Sequence, residues 1–453
     1  MRAILTGSLA ALACAGLSAS ADTAGAEWAP ETFTLSNGME VVILPDHRAP
    51  VVTHMVWYKV GAVDEAPGKS GIAHLFEHVM FKETDDLGPE EFTSVVQRNG
   101  GQLNAFTSYD YTAYYERVAK DRLELMMTME ADRMGDLIIN DDPEGPFISE
   151  RDVVKEERRQ RLDNNPGAIL QEQVMSEFFK GHPYEITVIG NMDEVGALTP
   201  QDGLDFYKTW YRPNEAILIV AGDVTAEEVR PLAEATYGQL AANEESPTRG
   251  WREVSPISET LELEHSDPKV RQPSWDRWYM GTSFIQDPDL AMALTVGLDV
   301  LGGGQTSRLY QSLVEDQKVA IDASSWGWLT LHDSGPVGLS FTPAEGKTMD
   351  EVETAFMAEV EKVLEEGFTE AEVDRARNSL AASSIYQRDS QEGMANLYGR
   401  TLAVGGTIDD ILNYPDNIRA VTKEQAIDAL RTVFAPDRNY IEAHLLPSEG
   451  DDQ

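Results

Sequence analysis

Apolar and polar residues alternate along Phe33-Thr34-Leu35 and again from Met39 to Pro45, on either side of Asn37-Gly38, which predicts a two-stranded hairpin. Val51 to Val60 predicts a further strand. An acidic loop follows at Gly61 to Gly68, and the period then changes. Ile72 to Phe81 carries apolar residues at helical spacing, with Ser70 placed to cap that helix. Glu90 to Asn99 predicts a second helix stopped by Gly100-Gly101. Gln102 to Thr107 and Thr112 to Val118 predict strands on either side of Ser108-Tyr109-Asp110. In Asp121 to Asp136 the residues Leu123, Met126, Met127, Met129 and Met134 repeat with a helical period and read as core. After the breaker-rich loop Asn140 to Pro146, Ser149 is expected to cap a helix. Glu150, Val153, Val154 and Glu157 fall on one stripe of it, because seven residues make almost two turns. Asn164 to Gly167 should end that helix, more helices follow to about Tyr211, and Ala216 to Ala221 has the unbroken apolar run of a buried strand.

Periodicity fades over residues 241–260, where Asn, Glu, Ser, Pro and Gly collect as in a linker. Beyond it the outline repeats, with a strand at Trp275 to Phe284 and a helix at Asp289 to Leu301. The Gly302-Gly303-Gly304 loop, a strand at Pro336 to Thr342 and long helices at Met349 to Gly367 and Glu370 to Gln387 come next. The terminal Phe434-Ala435-Pro436-Asp437-Arg438-Asn439-Tyr440-Ile441 echoes Trp210-Tyr211-Arg212-Pro213-Asn214-Glu215-Ala216-Ile217. The expectation is an α+β chain of two homologous domains, residues 28–240 and 261–448, each a mainly antiparallel sheet packed with helices.

With 453 residues there is chain enough for two substantial cores. Arg2, the apolar run Ala3 to Leu17 and Ala19-Ser20-Ala21 form a secretory leader, residues 1–21, with cleavage expected after Ala21. The single cysteine, Cys14, lies inside the leader. Its flanks match a lipobox poorly, so cleavage is favoured over lipidation. The mature chain then has no disulfide and no thiolate ligand, which leaves nitrogen and oxygen donors for any metal. No later run is long enough to span a membrane. Thirty-six basic against 78 acidic residues give a net charge of −42, which argues against nucleic acid as a partner. The acids are spread along the chain, as on a solvated surface.

Candidate chemistry centres on Ala73-His74-Leu75-Phe76-Glu77-His78-Val79-Met80-Phe81, which contains H-x-x-E-H. On a helix His74 and His78 project from one face, and Glu77 lies within reach of whatever they hold. Two imidazoles and a carboxylate make half of a zinc site, and the third protein ligand must come from elsewhere. The alternative is a pair of helix histidines satisfied by ordinary hydrogen bonds. The two carboxylates on the Val153/Val154 stripe make sense if they face a buried cation.

These segments, together with Asn104-Ala105-Phe106-Thr107 and Glu150-Arg151-Asp152-Val153-Val154-Lys155-Glu156-Glu157, resemble the short, two-domain form of the pitrilysin/insulinase family of inverted-zincin zinc metallopeptidases. The resemblance implies one zinc per chain held by His74, His78 and Glu157, with Glu77 as the catalytic base and Glu150 orienting a histidine. Glu156 is a weaker candidate for the third ligand. Asn104, Ala105, Phe106 and Thr107 resemble the family's substrate-binding edge strand. The implied fold is half of a clamshell, and the implied function is an exported or periplasmic endopeptidase that cleaves short or unfolded peptides in a closed chamber. Similar chains act as homodimers or pair with a related subunit lacking H-x-x-E-H. Many also use an Arg and a Tyr to hold the substrate carbonyl, expected here around Pro336 to Asp350, and that stretch contains neither. Arg308 and Tyr310 lie at the glycine loop and do not inherit the role. The departure suits a catalytic half that needs a related subunit; a non-catalytic scaffold of the same fold is the remaining alternative.

Overall fold

In this computed structural model the described residues are 29–142 and 145–448. The leader expected at residues 1–21, with Cys14 and the cleavage point after Ala21, lies outside them. Eleven strands form two sheets among the described residues. The first holds β1 (Glu31–Thr34), β2 (Glu40–Pro45), β3 (Val51–Tyr58), β4 (Gln102–Thr107), β5 (Thr112–Ala119) and β6 (Ala216–Gly222), in the order β1-β2-β6-β3-β5-β4. The second holds β7 (Leu261–Asp267), β8 (Ser274–Met280), β9 (Ala320–Gly327), β10 (Pro336–Pro343) and β11 (Tyr440–Pro447), in the order β7-β11-β8-β10-β9. Each sheet has one parallel pair, β2 with β6 and β7 with β11, and is otherwise antiparallel.

Removing the β1 hairpin strand superimposes the two strand orders. β2, β6, β3, β5 and β4 correspond to β7, β11, β8, β10 and β9, and in each sheet the strand nearest the end of its half is inserted beside the first. This is the α+β pair of homologous domains that the sequence repeat announces. The helices of the first half are α1 (Ile72–Val79), α2 (Glu91–Arg98), α3 (Leu123–Asp136), α4 (Pro146–Arg158), α5 (Pro166–Phe178), α6 (Met192–Ala197), α7 (Pro200–Trp210) and α8 (Ala226–Ala235). Those of the second are α9 (Pro288–Gly302), α10 (Met349–Glu366), α11 (Glu370–Tyr386), α12 (Gln391–Ala403), α13 (Ile408–Ala420) and α14 (Lys423–Val433).

Strand alternation explains how the layers are shared, since successive side chains face opposite sides of a sheet. On β6, Ala216, Leu218 and Val220 enter the first core with α1, α3 and α7, while Ile217, Ile219 and Ala221 face the other way. That second face is covered by α12 of the other half, through Met394, Ala395 and Tyr398 packed with Met55 and Trp57. The exchange is mutual. On the second sheet Trp275 and Tyr279 of β8 face its own helices, and Trp278, Ile441 and Ala443 face Leu170, Val174 and Phe178 of α5. With both faces covered, β6 must be apolar throughout, and every residue in it is buried.

Residues 241–260 contain no helix or strand but are strapped down. Asp64 Oδ1 accepts from Arg249 Nε and Gly250 N, both at 2.9 Å, and Trp251 stacks on His332 with ring centroids 3.5 Å apart.

Two helix starts differ from the sequence expectation. Ser70 does not cap α1; its hydroxyl accepts from Asn191 N at 2.9 Å. The Glu65 carboxylate takes the helix start instead, accepting from Gly71 N and Ala73 N at 2.9 Å each. Ser149 lies inside α4, which begins three residues earlier because Pro146 suits the first helical position, where its missing N–H costs nothing. The triple glycine is a packing device: a Cβ on Gly302 would stand 2.2 Å from Ser325 N on β9.

Candidate metal centre

The first core fixes α1 by its apolar side. Ile72, Ala73, Leu75, Phe76 and Val79 are buried, and the Phe76 ring sits 5.2 Å from Phe206 and 5.3 Å from Tyr211. Gly71, at φ +84°, has its N–H turned onto Glu65 and its Cα side against Ile189 O and Val195, where a Cβ would stand at 2.6 Å. Partly buried, Glu65 has its pKa pushed up to about 8 by desolvation, against the two amide hydrogen bonds that favour its charged form.

The opposite side of α1 turns His74 and His78 toward α4. His78 Nε2 lies 3.3 Å and His74 Nε2 3.9 Å from Glu157 Oε2. The ligating atoms of these three residues all lie within 4.8 Å of one another. Glu157's other oxygen pairs with Arg161 at 2.7 Å. His78 Nδ1 meets Glu150 Oε2 at 3.2 Å, and Glu150 Oε1 accepts from Lys82 Nζ at 2.9 Å. Lys82 in turn reaches Glu90 at 2.8 Å. Val154 is buried on the same stripe of α4, whereas Val153, expected beside it, is 45% exposed. At about −60° from Glu150 on the helical wheel, Val153 lies past the edge of the contact with α1. Glu156 points to solvent and pairs with Arg159 and Gln160.

Electrostatics separate the two imidazoles, whose centroids are 5.2 Å apart. Burial drives the pKa of His74 down to about 4, so its ring is neutral, and its Nδ1 is buried without a partner. For His78 burial also opposes protonation, but the carboxylates of Glu150 and Glu157 overcome it and raise the pKa to about 9. Positive charge is therefore stabilised where Nε2 of His78 faces Glu157. A proton can supply it, and so can a cation drawing on the lone pairs of both rings and on Glu157. The donor set of two nitrogens and one carboxylate oxygen, with the far nitrogen of one ring held by a second carboxylate, fits a zinc ion.

Glu77 is turned toward the sheet edge. Thr107 Oγ1 donates to its Oε2 at 2.8 Å, and burial raises its pKa despite that bond. Asn104, Ala105, Phe106 and Thr107 all lie on β4, the last strand in its sheet, paired with β5 on one side through Asn104 to Tyr115, Ala105 to Tyr114, Phe106 to Ala113 and Thr107 to Thr112. Its other edge has no strand partner among the described residues. The structure thus gathers His74, Glu77, His78, Glu150 and Glu157 at one place and sets the β4 residues beside it. Sequence reasoning missed the side-chain role of Thr107 and the partners Lys82, Arg161 and Glu65. Arg161 comes four residues after Glu157 and could have been found by helical spacing; the others are brought in by tertiary contact.

A second group, His54, Glu116 and Glu130, also has metal-type donors close together. It already holds a cation. The Arg133 guanidinium is bonded to Glu130, with Glu116 Oε1 3.5 Å away, and is sandwiched by Phe92 at 4.3 Å and Tyr114 at 4.5 Å. This buried ionic cluster buttresses α1, since Tyr114 OH donates to Phe76 O at 3.1 Å. Arg308, at the glycine loop, is engaged with Glu372.

Comparison with known proteins places this geometry. Residues 40–191 match the family profile described as Insulinase (Peptidase family M16), and residues 197–380 match Peptidase M16 inactive domain. The chain is 32% identical over 371 residues to the zinc protease PqqE of Helicobacter pylori, covering 81% of this chain and 82% of that one. It is 31% identical over 412 residues to a zinc protease of Mycobacterium leprae, covering 86% of each. A crystal structure of a protease from H. pylori superimposes with a TM-score of 0.85 at 28% identity, over 93% of this chain and all of that one. The first half of the periplasmic protease PqqL from Escherichia coli shares the fold, with a TM-score of 0.78 at 18% identity over 92% of each chain.

Proposed function

The chain belongs to the insulinase family of peptidases, M16, and from that membership and the geometry of its first half we propose that it is a zinc-dependent endopeptidase for short or unfolded peptides. The observation that carries the reading is the convergence of His74 Nε2, His78 Nε2 and Glu157 Oε2 within 4.8 Å beside a glutamate hydrogen-bonded to an edge strand. In this reading His74, His78 and Glu157 hold one zinc ion. When bound, zinc supplies a Lewis acid that polarises an amide carbonyl and makes water more acidic.

The chain's own residues do the rest. Glu150 fixes the ring of His78 through Nδ1, and Lys82 holds Glu150 in place. An extended peptide adds to the free edge of β4 at Asn104 to Thr107, and main-chain hydrogen bonds grip it with little sequence choice. Glu77 then lies next to the seated backbone. It takes a proton from the attacking water and delivers it to the leaving amine, while Thr107 keeps its carboxylate aimed.

A partner is part of the reading. Pro336 to Asp350 lacks both Arg and Tyr, and Arg308 is tied to Glu372, so the group that steadies a substrate carbonyl is expected from a second subunit. A homodimer, or a heterodimer with a related chain lacking H-x-x-E-H, closes the two halves into a chamber. A periplasmic or otherwise exported location, with maturation after Ala21, belongs to the same reading; among the described residues no helix is long and apolar enough to cross a membrane. Hydrolysis of a quenched unstructured peptide by residues 22–453, run beside Glu77→Gln with zinc content measured in both, tests it. Cleavage lost only in the variant supports a self-sufficient peptidase. Zinc-loaded wild type that cleaves only after a related subunit is added supports the heterodimer, and failure in both settings leaves the scaffold alternative.

A further inference from the structure

Between α9, α11, α12 and α13, far along the chain from the motif helix, lies a cavity of about 320 Å³ with no part in the chemistry above. Phe284, Met292, Leu380, Leu397, Val404 and Tyr414 give it an apolar wall. Three charged residues also line it: Arg388, Arg400 and Asp410. Asp410 is occupied, since its Oδ2 accepts from Thr407 N at 2.8 Å and Thr407 Oγ1 at 2.7 Å in the cap of α13. The guanidinium groups of Arg388 and Arg400 make no hydrogen bond or ion pair among the described residues. In a chain with 78 acids to 36 bases, two cations without an acidic partner thus line one apolar cavity.

We propose that this cavity binds a small molecule made of one carboxylate on an apolar body. The apolar wall takes the body, and the planar guanidinium forks of Arg388 and Arg400 match a carboxylate's two oxygens. The volume is at the lower end of the range for small-ligand sites, which often sit where domains meet. Here all the lining residues belong to the second half: Leu397, Arg400 and Val404 come from α12 and its end, the helix that backs the first sheet, and Met292 and Leu380 pack on the second core. A seated ligand therefore bridges the second core and the helix that packs on the first sheet. Apolar surface continues outward on the same helices, with Ile385 at 45%, Tyr386 at 73% and Leu412 at 40% exposure. The field of Arg400 already reaches the Tyr414 phenol, whose pKa it lowers against the larger, upward push of burial.

Two sources share this chemistry: a medium-chain fatty acid and the carboxyl end of an apolar peptide. Calorimetric titration of the full chain with decanoate, N-acetyl-Leu-Leu and decanol separates them. The expected result is one-to-one binding of at least one carboxylate, tighter than decanol, and weakened at least about 10-fold by Arg388→Gln with Arg400→Gln. The carboxylate that binds more tightly identifies the source. Ser383→Trp, which fills the mouth from an exposed position without removing charge, should block binding even if the double variant folds poorly. Absence of binding by both carboxylates overturns the proposal. So does decanol binding as tightly as decanoate with no effect of the double variant.

Discussion

The two halves share a strand order but differ in the helix that comes after β3 in one and after β8 in the other. In the first half α1 is eight residues long, starts on a left-handed glycine, and leaves His78, Glu77 and the facing α4 carboxylates only partly covered. In the second, α9 is 15 residues long and apolar on nearly every side, with Ala293, Leu294, Val296, Leu298, Val300 and Leu301 all buried. The caps differ in kind as well. A partly buried glutamate from a preceding loop holds α1, whereas Asp287 immediately before α9 accepts from Leu290 N at 3.0 Å at the surface. One fold can therefore host chemistry in one copy and only packing in the other. The difference is a short helix held by its ends, with one face free of the core, against a long helix held by its whole circumference.

The contrast breaks most sharply if the first half loses its donors. Glu157→Gln should remove most of the bound zinc, read by metal analysis after dialysis, and Glu77→Gln should keep the zinc and lower peptide hydrolysis by about 10²–10⁴-fold. Asp299→Asn, on α9, should change neither. Thr107→Val should lower kcat by about 10–100-fold with zinc content and KM unchanged, as expected when a carboxylate loses a hydrogen bond, and Thr107→Ser should restore it. A rise in KM alone would move Thr107 from aiming Glu77 to seating the peptide.

The exchanged helices supply the next comparison. A Cβ on Gly399 of α12 would stand 1.9 Å from Trp57 of the first sheet, while one on Gly167 of α5 would meet its nearest atoms at 3.5 Å and 3.7 Å. Gly399→Ala should cost about 1–3 kcal/mol in urea unfolding, and Gly167→Ala should be nearly neutral or slightly stabilising. The last comparison concerns the caps. Glu65 has a folded pKa of about 8 against an unfolded 4.5, so its contribution to stability is complete below pH 4.5 and is lost as pH rises through about 8. Glu65→Gln should flatten the decline of Tm across that window. Asp287→Ala should cost about 0.5–2 kcal/mol as a surface cap.

Much of this is legible in the amino-acid sequence. The Asn37-Gly38 hairpin, the Met-rich α3 and the all-apolar β6 follow from period and turn chemistry alone, and H-x-x-E-H with the later carboxylate stripe marks one face of each of two helices. The misses share a cause. Ser70 and Ser149 are good caps by composition, but Glu65 reaches the α1 amides from six residues before Gly71, and Pro146 starts α4 one turn early. Val153 is apolar and next to the stripe, but its place on the helical wheel lies past the edge of the contact with α1 and leaves it exposed. Thr107 and Lys82 enter through contacts that no local window contains. Arg133, of a residue type seldom buried, is fully buried because Glu130, one turn earlier on α3, and Glu116, on β5, converge on it.

The exchange of α5 and α12 also sets a timetable for a chain emerging from the ribosome. All six strands of the first sheet exist once Gly222 is made, yet the helix that covers their second face ends at Ala403. At ordinary rates of about 5–20 residues per second, the sheet waits about 10–35 s with Met55, Trp57, Ile217 and Ile219 bare. Over that interval the second face of the sheet is apolar surface of the kind a chaperone can hold.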